Sequence, residues 1–109
     1  MAATGKLATG TSSAGAWTVI YMVPVNHYAS ANISFLNATG SNDQNFKFAI
    51  SDAVASSPPK KDILSSHVTF PAEYVENHTG RLMGAGESVR VFADSDDISV
   101  RVEGFEKLI

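Results

Sequence analysis

Apolar and polar residues alternate along several stretches of this chain with a period of two, which is the pattern of β-strands that bury one face. The alternation is clear at Ala29 to Asn37 and again at Asn45 to Ser51, with the turn-prone segment Asn37 to Asp43 between them. We therefore expect these two strands to pair as an antiparallel hairpin. Their inward-facing side chains would be Ala31, Ile33, Phe35, Phe46, Phe48 and Ile50.

A second hairpin is expected at Glu87 to Glu106, where the tetrapeptide Ser-Val-Arg-Val occurs twice. The two copies, at 88–91 and 99–102, flank Asp94 to Asp97, a segment of residues that favour turns. Alternation would place the valines of both copies in the core and the residues between them in water. The valines are Val89, Val91, Val100 and Val102, and the predicted solvent-facing residues are Arg90, Arg101, Ser99 and Glu103.

The remaining strand signals are less regular. Trp17 to Val23 is apolar at nearly every position, which favours a strand that is buried on both faces. Asp62 to Phe70 and Tyr74 to Met83 are weaker strand candidates, and Pro71 separates them. The Pro-Pro pair at 58 and 59 lacks amide donors, so we expect a surface connection there.

About seven or eight short strands at this spacing predict an all-β chain, folded as an antiparallel β-sandwich of the jelly-roll or immunoglobulin type. One hydrophobic core should hold the two sheets of the sandwich together. Its predicted members are Trp17, Val19, Tyr21, Ile33, Phe35, Phe46, Phe48, Ile50, Val89, Val91, Val100 and Val102.

The first 16 residues differ from the rest, because Ala, Gly, Ser and Thr dominate and Leu7 is the one sizeable aliphatic residue between Met1 and Trp17. Such a segment buries little surface to offset the entropy cost of ordering its backbone. We therefore expect a flexible N-terminal assembly arm at 1–16, ordered by another subunit, and a β-sandwich domain at 17–109.

The composition of the chain excludes several classes of chemistry and of binding partner. A chain of 109 residues is one domain by length, and it contains no cysteine, so neither disulfides nor thiolate chemistry is available. A net charge of −3 provides no basic field, so nucleic acid is not an expected partner. The longest apolar run, Ala16 to Val25, is too short to span a bilayer, so we expect no membrane partner and a protein made in the cytoplasm.

Candidate chemistry is sparse. His27, His67 and His78 show no spacing typical of metal ligands, and we expect them in loops and at strand edges. The carboxylates of Asp94, Asp96 and Asp97 could ligate calcium, but local hydrogen bonding in a turn explains them better. No nucleophile elbow or phosphate-binding loop is present. We therefore predict a protein that is not an enzyme, with no catalytic, cofactor-binding or metal-binding residue and no cofactor. Three sequons begin at Asn32, Asn37 and Asn77, and we expect them to be unmodified.

Several segments resemble small all-β virion proteins of tailed bacteriophages, including those of cyanobacterial and marine hosts, over about Trp17 to Ile109. The segments that carry the resemblance are Tyr21 to Pro24, Ala31 to Asn37, Ala49 to Ser51, the strand beginning at Asp62, Gly84 to Val89, and Ser99 to Glu106. The resemblance implies a structural protein of the virion that decorates or cements the capsid or joins neck or tail components. It also implies a homo-oligomer that contacts other virion proteins and is made in the host cytoplasm.

Two alternatives remain at this stage, namely a receptor- or glycan-binding module of a tail fibre and an unrelated cellular β-sandwich. A glycan site normally presents an exposed Trp or Tyr. The sole tryptophan, Trp17, lies in a strand predicted to be buried, which argues against the first alternative.

Overall fold

The computed structural model describes residues 3–38, 44–53 and 57–109, and strands dominate this part of the chain. A short 3₁₀ turn at Lys60–Asp62 is the one helical segment among the described residues. The eight strands found there are β1 (Ala3–Thr11), β2 (Ala16–Met22), β3 (His27–Asn37), β4 (Gln44–Ser51), β5 (Ile63–Phe70), β6 (Val75–Met83), β7 (Ser88–Ala93) and β8 (Ile98–Leu108).

The strands form two antiparallel sheets that pack face to face. The first sheet has the order β1-β8-β3-β6, and the second has the order β2-β7-β4-β5. The first strand thus pairs with the eighth, the second with the seventh, the third with the sixth and the fourth with the fifth, as in one long hairpin folded onto itself. This connectivity is the jelly roll, so the predicted all-β sandwich is confirmed and the immunoglobulin order is excluded.

Both predicted hairpins are wrong. β3 and β4 lie in different sheets, as do β7 and β8, so strands that are consecutive in sequence face each other across the core. The segment 94–97 crosses from one sheet to the other instead of turning back within one sheet. The predicted turn at Asn37 to Asp43 falls mostly outside the described residues. Alternation identified the inward face of each strand, but it carries no information about the strand's partner.

The predicted core is largely confirmed, with its error on β2. Nine of the twelve predicted side chains are buried: Tyr21, Ile33, Phe35, Phe46, Phe48, Val89, Val91, Val100 and Val102. Ile50 is half-buried and packs against this core. Val19 is 46% exposed and Trp17 is half-buried, because β2 is an edge strand whose outer face is not covered along its length. A strand buried on both faces was therefore the wrong interpretation.

Arg90 is a second correction, because it was expected in water and is 3% exposed. The Arg90 guanidinium donates to the carbonyl oxygen of Ala53, which lies just after β4, and to the hydroxyl of Ser88. Backbone and hydroxyl oxygens thus satisfy a buried cation, as burial of a charge requires.

The N-terminal segment is also corrected, because residues 3–11 form β1 and pair with β8 from Ala3 opposite Glu106 to Thr11 opposite Ser99. Leu7 and Ala8 of this strand pack against the core. Main-chain hydrogen bonds to β8 offset the ordering cost without large side chains, and this contribution was missing from the argument for a flexible arm. The proposed boundary between 16 and 17 therefore does not separate an arm from a domain.

Gly104 allows β8 to lie close against β3. Its φ is +149°, and a Cβ atom at this position would collide with the carbonyl oxygen of Ser30. The long register between β3 and β8, which runs from His27 to Asn37, therefore requires glycine at this position.

Candidate functional site

The inner face of the sandwich is polar where the edge strands β5 and β6 face each other. In antiparallel pairs, directly opposed residues point to the same face of the sheet. Register places Ser65 opposite Phe48 and His67 opposite Phe46, while Glu76 and His78 lie opposite buried residues of β3. We call this region the β5–β6 seam, defined by Ser65, His67, Glu76, His78 and Arg81.

Hydrogen bonds connect the two sheets across this seam. The Nε2 atom of His67, on the second sheet, lies 2.6 Å from Oε1 of Glu76 on the first. The other carboxylate oxygen of Glu76 lies 2.8 Å from Nε2 of His78. Arg81 continues the chain, because its Nη2 lies 3.0 Å from Nδ1 of His78. Four side chains thus form one continuous hydrogen-bond chain from β5 to the far end of β6.

The donors in this chain determine the tautomer of His78. An arginine side chain only donates, so Nδ1 of His78 accepts from Arg81 and carries no proton. The proton of the neutral ring therefore lies on Nε2 and is donated to Glu76. A metal ion bound at Nε2 would require the opposite tautomer, with Nδ1–H donating to an acceptor. Both nitrogens of the His78 ring are therefore engaged in the hydrogen-bond chain.

Glu76 is the centre of the chain, and its pKa reflects competing effects. Burial raises the pKa of this carboxyl, but hydrogen bonds from His78, Ser65 and His67, together with the charge interaction with His67, hold it below its ordinary value. Glu76 is therefore ionised at neutral pH in a half-buried position. The negative charge at the seam is maintained by the donors around it.

Phenylalanines form the floor beneath the polar chain. The His78 ring centroid lies 4.8 Å from that of Phe48, and the His67 ring stacks on Phe46 at 6.0 Å. The ring centroid of Phe70, which is fully buried, lies 5.3 Å from that of His67. The half-exposed Tyr74 packs edge-on against Phe70, with 5.5 Å between the ring centroids. An apolar floor provides no hydrogen-bond partners, so the polar groups above it must satisfy one another.

A pocket of about 320 Å³ opens where Arg81 ends the chain. Two carboxylates in its wall already accept hydrogen bonds: Asp62 from the Ser51 hydroxyl at 2.7 Å, and Glu87 from the Gly84 amide at 2.8 Å. The lining residues are Ile50, Lys61, Asp62, Leu64, Gly80, Arg81, Leu82 and Glu87. Two cations, two carboxylates and three aliphatic side chains thus meet at this end of the seam.

Large apolar side chains also face solvent along the two strands. Val68 on β5 is 83% exposed and Leu82 on β6 is 76% exposed, and Leu64 on β5 is exposed as well. Leu64 lies where the register between β4 and β5 shifts, which turns the strand locally. The strands that border the polar seam therefore present aliphatic side chains outward.

The sequence prediction missed the seam. His67 and His78 were considered separately and expected in loops and at strand edges, but both lie inside strands, β5 and β6, that form the edges of their sheets. They are 11 residues apart and belong to different sheets, so a shared carboxylate follows only from the jelly-roll connectivity. One signal was present, because Glu76 and His78 are two residues apart and lie on the same face of a strand.

The other residues considered from the sequence lie apart from this seam. Asp94 accepts from the amide of Asn45 at 3.0 Å, and Asp97 accepts from the hydroxyl of Ser95 at 3.1 Å. His27 begins β3, with its Nδ1 donating to the carbonyl oxygen of Val25. Asn37, which begins a sequon, is fully buried and donates to the carbonyl oxygens of residues 70 and 71.

Within the described ranges, no group of three or more histidines and carboxylates is arranged to hold a metal ion. The same part of the chain has no helix long and apolar enough to cross a membrane. No protein-family model, curated protein or solved structure matches the chain. The seam and the fold therefore carry the functional argument.

Proposed function

We propose that the protein is a non-enzymatic structural protein of a tailed-bacteriophage virion, which decorates or cements the capsid or joins neck or tail components. The observation that carries the proposal is the exposure of the aliphatic side chains of Leu64, Val68 and Leu82 on the edge strands β5 and β6. An edge strand with exposed apolar residues is a site for pairing with another chain. In a virion, a neighbouring subunit would cover this edge.

The sequence of β5 supports an assembly role. Ile63–Phe70 contains no Lys, Arg, Asp, Glu, Pro or Gly, which are the residues that commonly prevent edge strands from pairing. Its one ionisable residue, His67, faces inward and is held by Glu76. A neighbouring copy or a different virion protein could therefore dock along this strand without burying an unpaired charge.

The seam chemistry also favours a structural role over catalysis. Both carboxylate oxygens of Glu76 accept from histidine rings, and Ser65 hydrogen-bonds to the same carboxylate. Three hydrogen bonds thus hold the Glu76 carboxylate in place. The arrangement stabilises contact between the sheets.

The test is the location of the protein during infection. We expect it to co-sediment with purified particles of the phage that encodes it and to label one site on them in immunogold electron microscopy. The head, neck or tail position of the label would assign the component. Recovery of the protein only in the particle-free fraction of the lysate would contradict the proposal.

A glycan- or receptor-binding module is the second candidate, and one observation favours it. Trp17 is half-buried on the outer face of the second sheet, where its ring lies 5.8 Å from that of Phe92 and Lys47 lies over the Phe92 ring at 5.6 Å. The sequence-based argument against a glycan site, which assumed that Trp17 is buried, therefore no longer applies. A Trp17→Ala variant that loses adsorption of phage to host cells but still enters particles would support this candidate.

A further inference from the structure

Arg81 lies at the pocket without a carboxylate partner. Among the described residues, no Asp or Glu oxygen lies within 4.0 Å of its guanidinium, and its Nε is buried without an acceptor. Its one hydrogen bond there goes to a neutral histidine ring. A half-buried cation normally lies beside an anion, so the network is incomplete at this point.

The charges of the pocket wall indicate the kind of ligand that would complete it. The carboxylates of Asp62 and Glu87 have protein donors, whereas Lys61 is exposed and forms no ion pair in the described part of the chain. These donors are neutral, so the four formal charges of the wall balance, and what the wall lacks among the described residues is an acceptor for the Arg81 guanidinium and an ion-pair partner for Lys61. The two acidic residues nearby disfavour a polyanion such as phosphate, so a single carboxylate fits best.

The aliphatic part of the wall restricts the ligand further. Leu64 and Leu82 are exposed at the pocket and Ile50 is half-buried there. At about 320 Å³ the pocket is at the small end of the range for ligand sites, about 300–1,000 Å³, so it accommodates a side chain and its neighbour but not a large cofactor.

We propose that this pocket binds an acidic side chain flanked by aliphatic residues, presented by a segment of a partner protein. Arg81 and Lys61 would donate to the carboxylate, while the leucines would contact the flanking aliphatic groups. This inference rests on the proposed function in one respect, namely that the ligand belongs to another protein. Its test uses the isolated chain.

The test is an NMR titration of the ¹⁵N-labelled full-length protein with acetyl-Leu-Asp-Leu-amide and with its Asn analogue. We expect the Asp peptide to shift the amide signals of Lys61, Gly80 and Leu82, and the Asn peptide to bind about tenfold more weakly. Equal affinity for the two peptides, or shifts that map elsewhere, would overturn the proposal. Binding of hexanoate, a free alkyl carboxylate, without binding of the Asp peptide would also overturn the proposal.

Variants separate binding from folding. Arg81→Gln should lower affinity for the Asp peptide about tenfold. Lys61→Gln, at an exposed position, should lower it about twofold to fivefold without affecting the fold. Arg101→Gln is the matched control, because it removes the same charge from an exposed pair with Glu103 outside the pocket lining, and its affinity should equal that of the wild type. Unchanged affinity in both Arg81→Gln and Lys61→Gln would contradict the proposal. Failure of this test would leave the particle-association test of the proposed function unaffected.

Discussion

The two open sides of this sandwich are closed in different ways. On one side, β1 and β2 approach each other and pack Leu7, Ala8 and Ile20 against the core. On the other side, the β5 and β6 backbones stay further apart, and the hydrogen-bonded side chains of His67 and Glu76 span the space between them. Apolar packing requires close, complementary surfaces, whereas a hydrogen-bond chain can span a wider opening.

This difference assigns different roles to the two sides. The β1–β2 side is closed by apolar contacts and by one hydrogen bond, from the Tyr21 hydroxyl to the Glu106 carboxylate, and its apolar part contributes stability that depends little on pH or salt. The β5–β6 side has a pocket, exposed aliphatic residues and an ionised Glu76, and we propose it as the side that meets a partner. The predictions below test this division, beginning with the largest expected effect.

Deletion of residues 2–11 should abolish cooperative folding. The deletion removes β1, exposes the main chain of β8 and opens the core where Leu7 packs. The loss is comparable with the total stability of a small domain, about 5–15 kcal/mol. The control is Leu7→Ala, which keeps the strand and should cost only about 1–2 kcal/mol because Leu7 is half-buried. Thermal unfolding by circular dichroism measures both, and an unchanged melting temperature after the deletion would restore the flexible-arm interpretation.

Phe48→Ala should lower the free energy of unfolding by about 3–5 kcal/mol. The ring is fully buried, 4.7 Å from Phe35 and 4.8 Å from His78, so its removal leaves a cavity under the polar chain. Lys47→Ala, on the outer face of the same strand, serves as the control and should cost less than about 1 kcal/mol. Urea denaturation gives both values, and similar costs would mean that the faces of β4 are misassigned.

Glu76→Gln should cost about 1–3 kcal/mol at pH 7 and less in acid, at a pH below about 4.5. The folded-state pKa of Glu76 lies below the unfolded value, so its stabilisation is present above about pH 4.5 and is lost as pH falls through the lower folded pKa. Glu103→Gln, in an exposed ion pair, should cost less than about 0.5 kcal/mol at both pH values. A cost for Glu76→Gln that is independent of pH would show that the seam does not depend on this charge.

The part of the fold that sequence could predict is the part that depends on one strand at a time. Alternation identified Phe46 and Phe48 as inward, and the strands assigned at Asp62 to Phe70 and Tyr74 to Met83 match β5 and β6 closely. Pairing could not be predicted in the same way, because an echo such as Ser-Val-Arg-Val is equally compatible with one hairpin and with two facing sheets.

The candidate site was harder to predict because each member depends on a distant segment. Arg90 is buried and donates to the carbonyl oxygen of Ala53, just after β4, a contact that its own strand pattern cannot indicate. His67 and Glu76 meet only because β5 and β6 are the edges of opposing sheets. The spacing of Glu76 and His78 was visible in the sequence, but the contact between Glu76 and His67 was not.

The central proposal is that the β5–β6 side of the sandwich, and not the β1–β2 side, faces a partner in an assembled particle. It is tested most directly by particle occupancy in a phage that lacks the gene and is complemented with variants. The first variant carries Leu64→Ser, Val68→Ser and Leu82→Ser; the second, on β2, carries Val19→Ser and Met22→Ser at side chains that are also exposed. With both variants folded, we predict that the first is lost from purified particles while the second is retained at wild-type levels. Equal incorporation of the two variants, or selective loss of the second, would contradict the account.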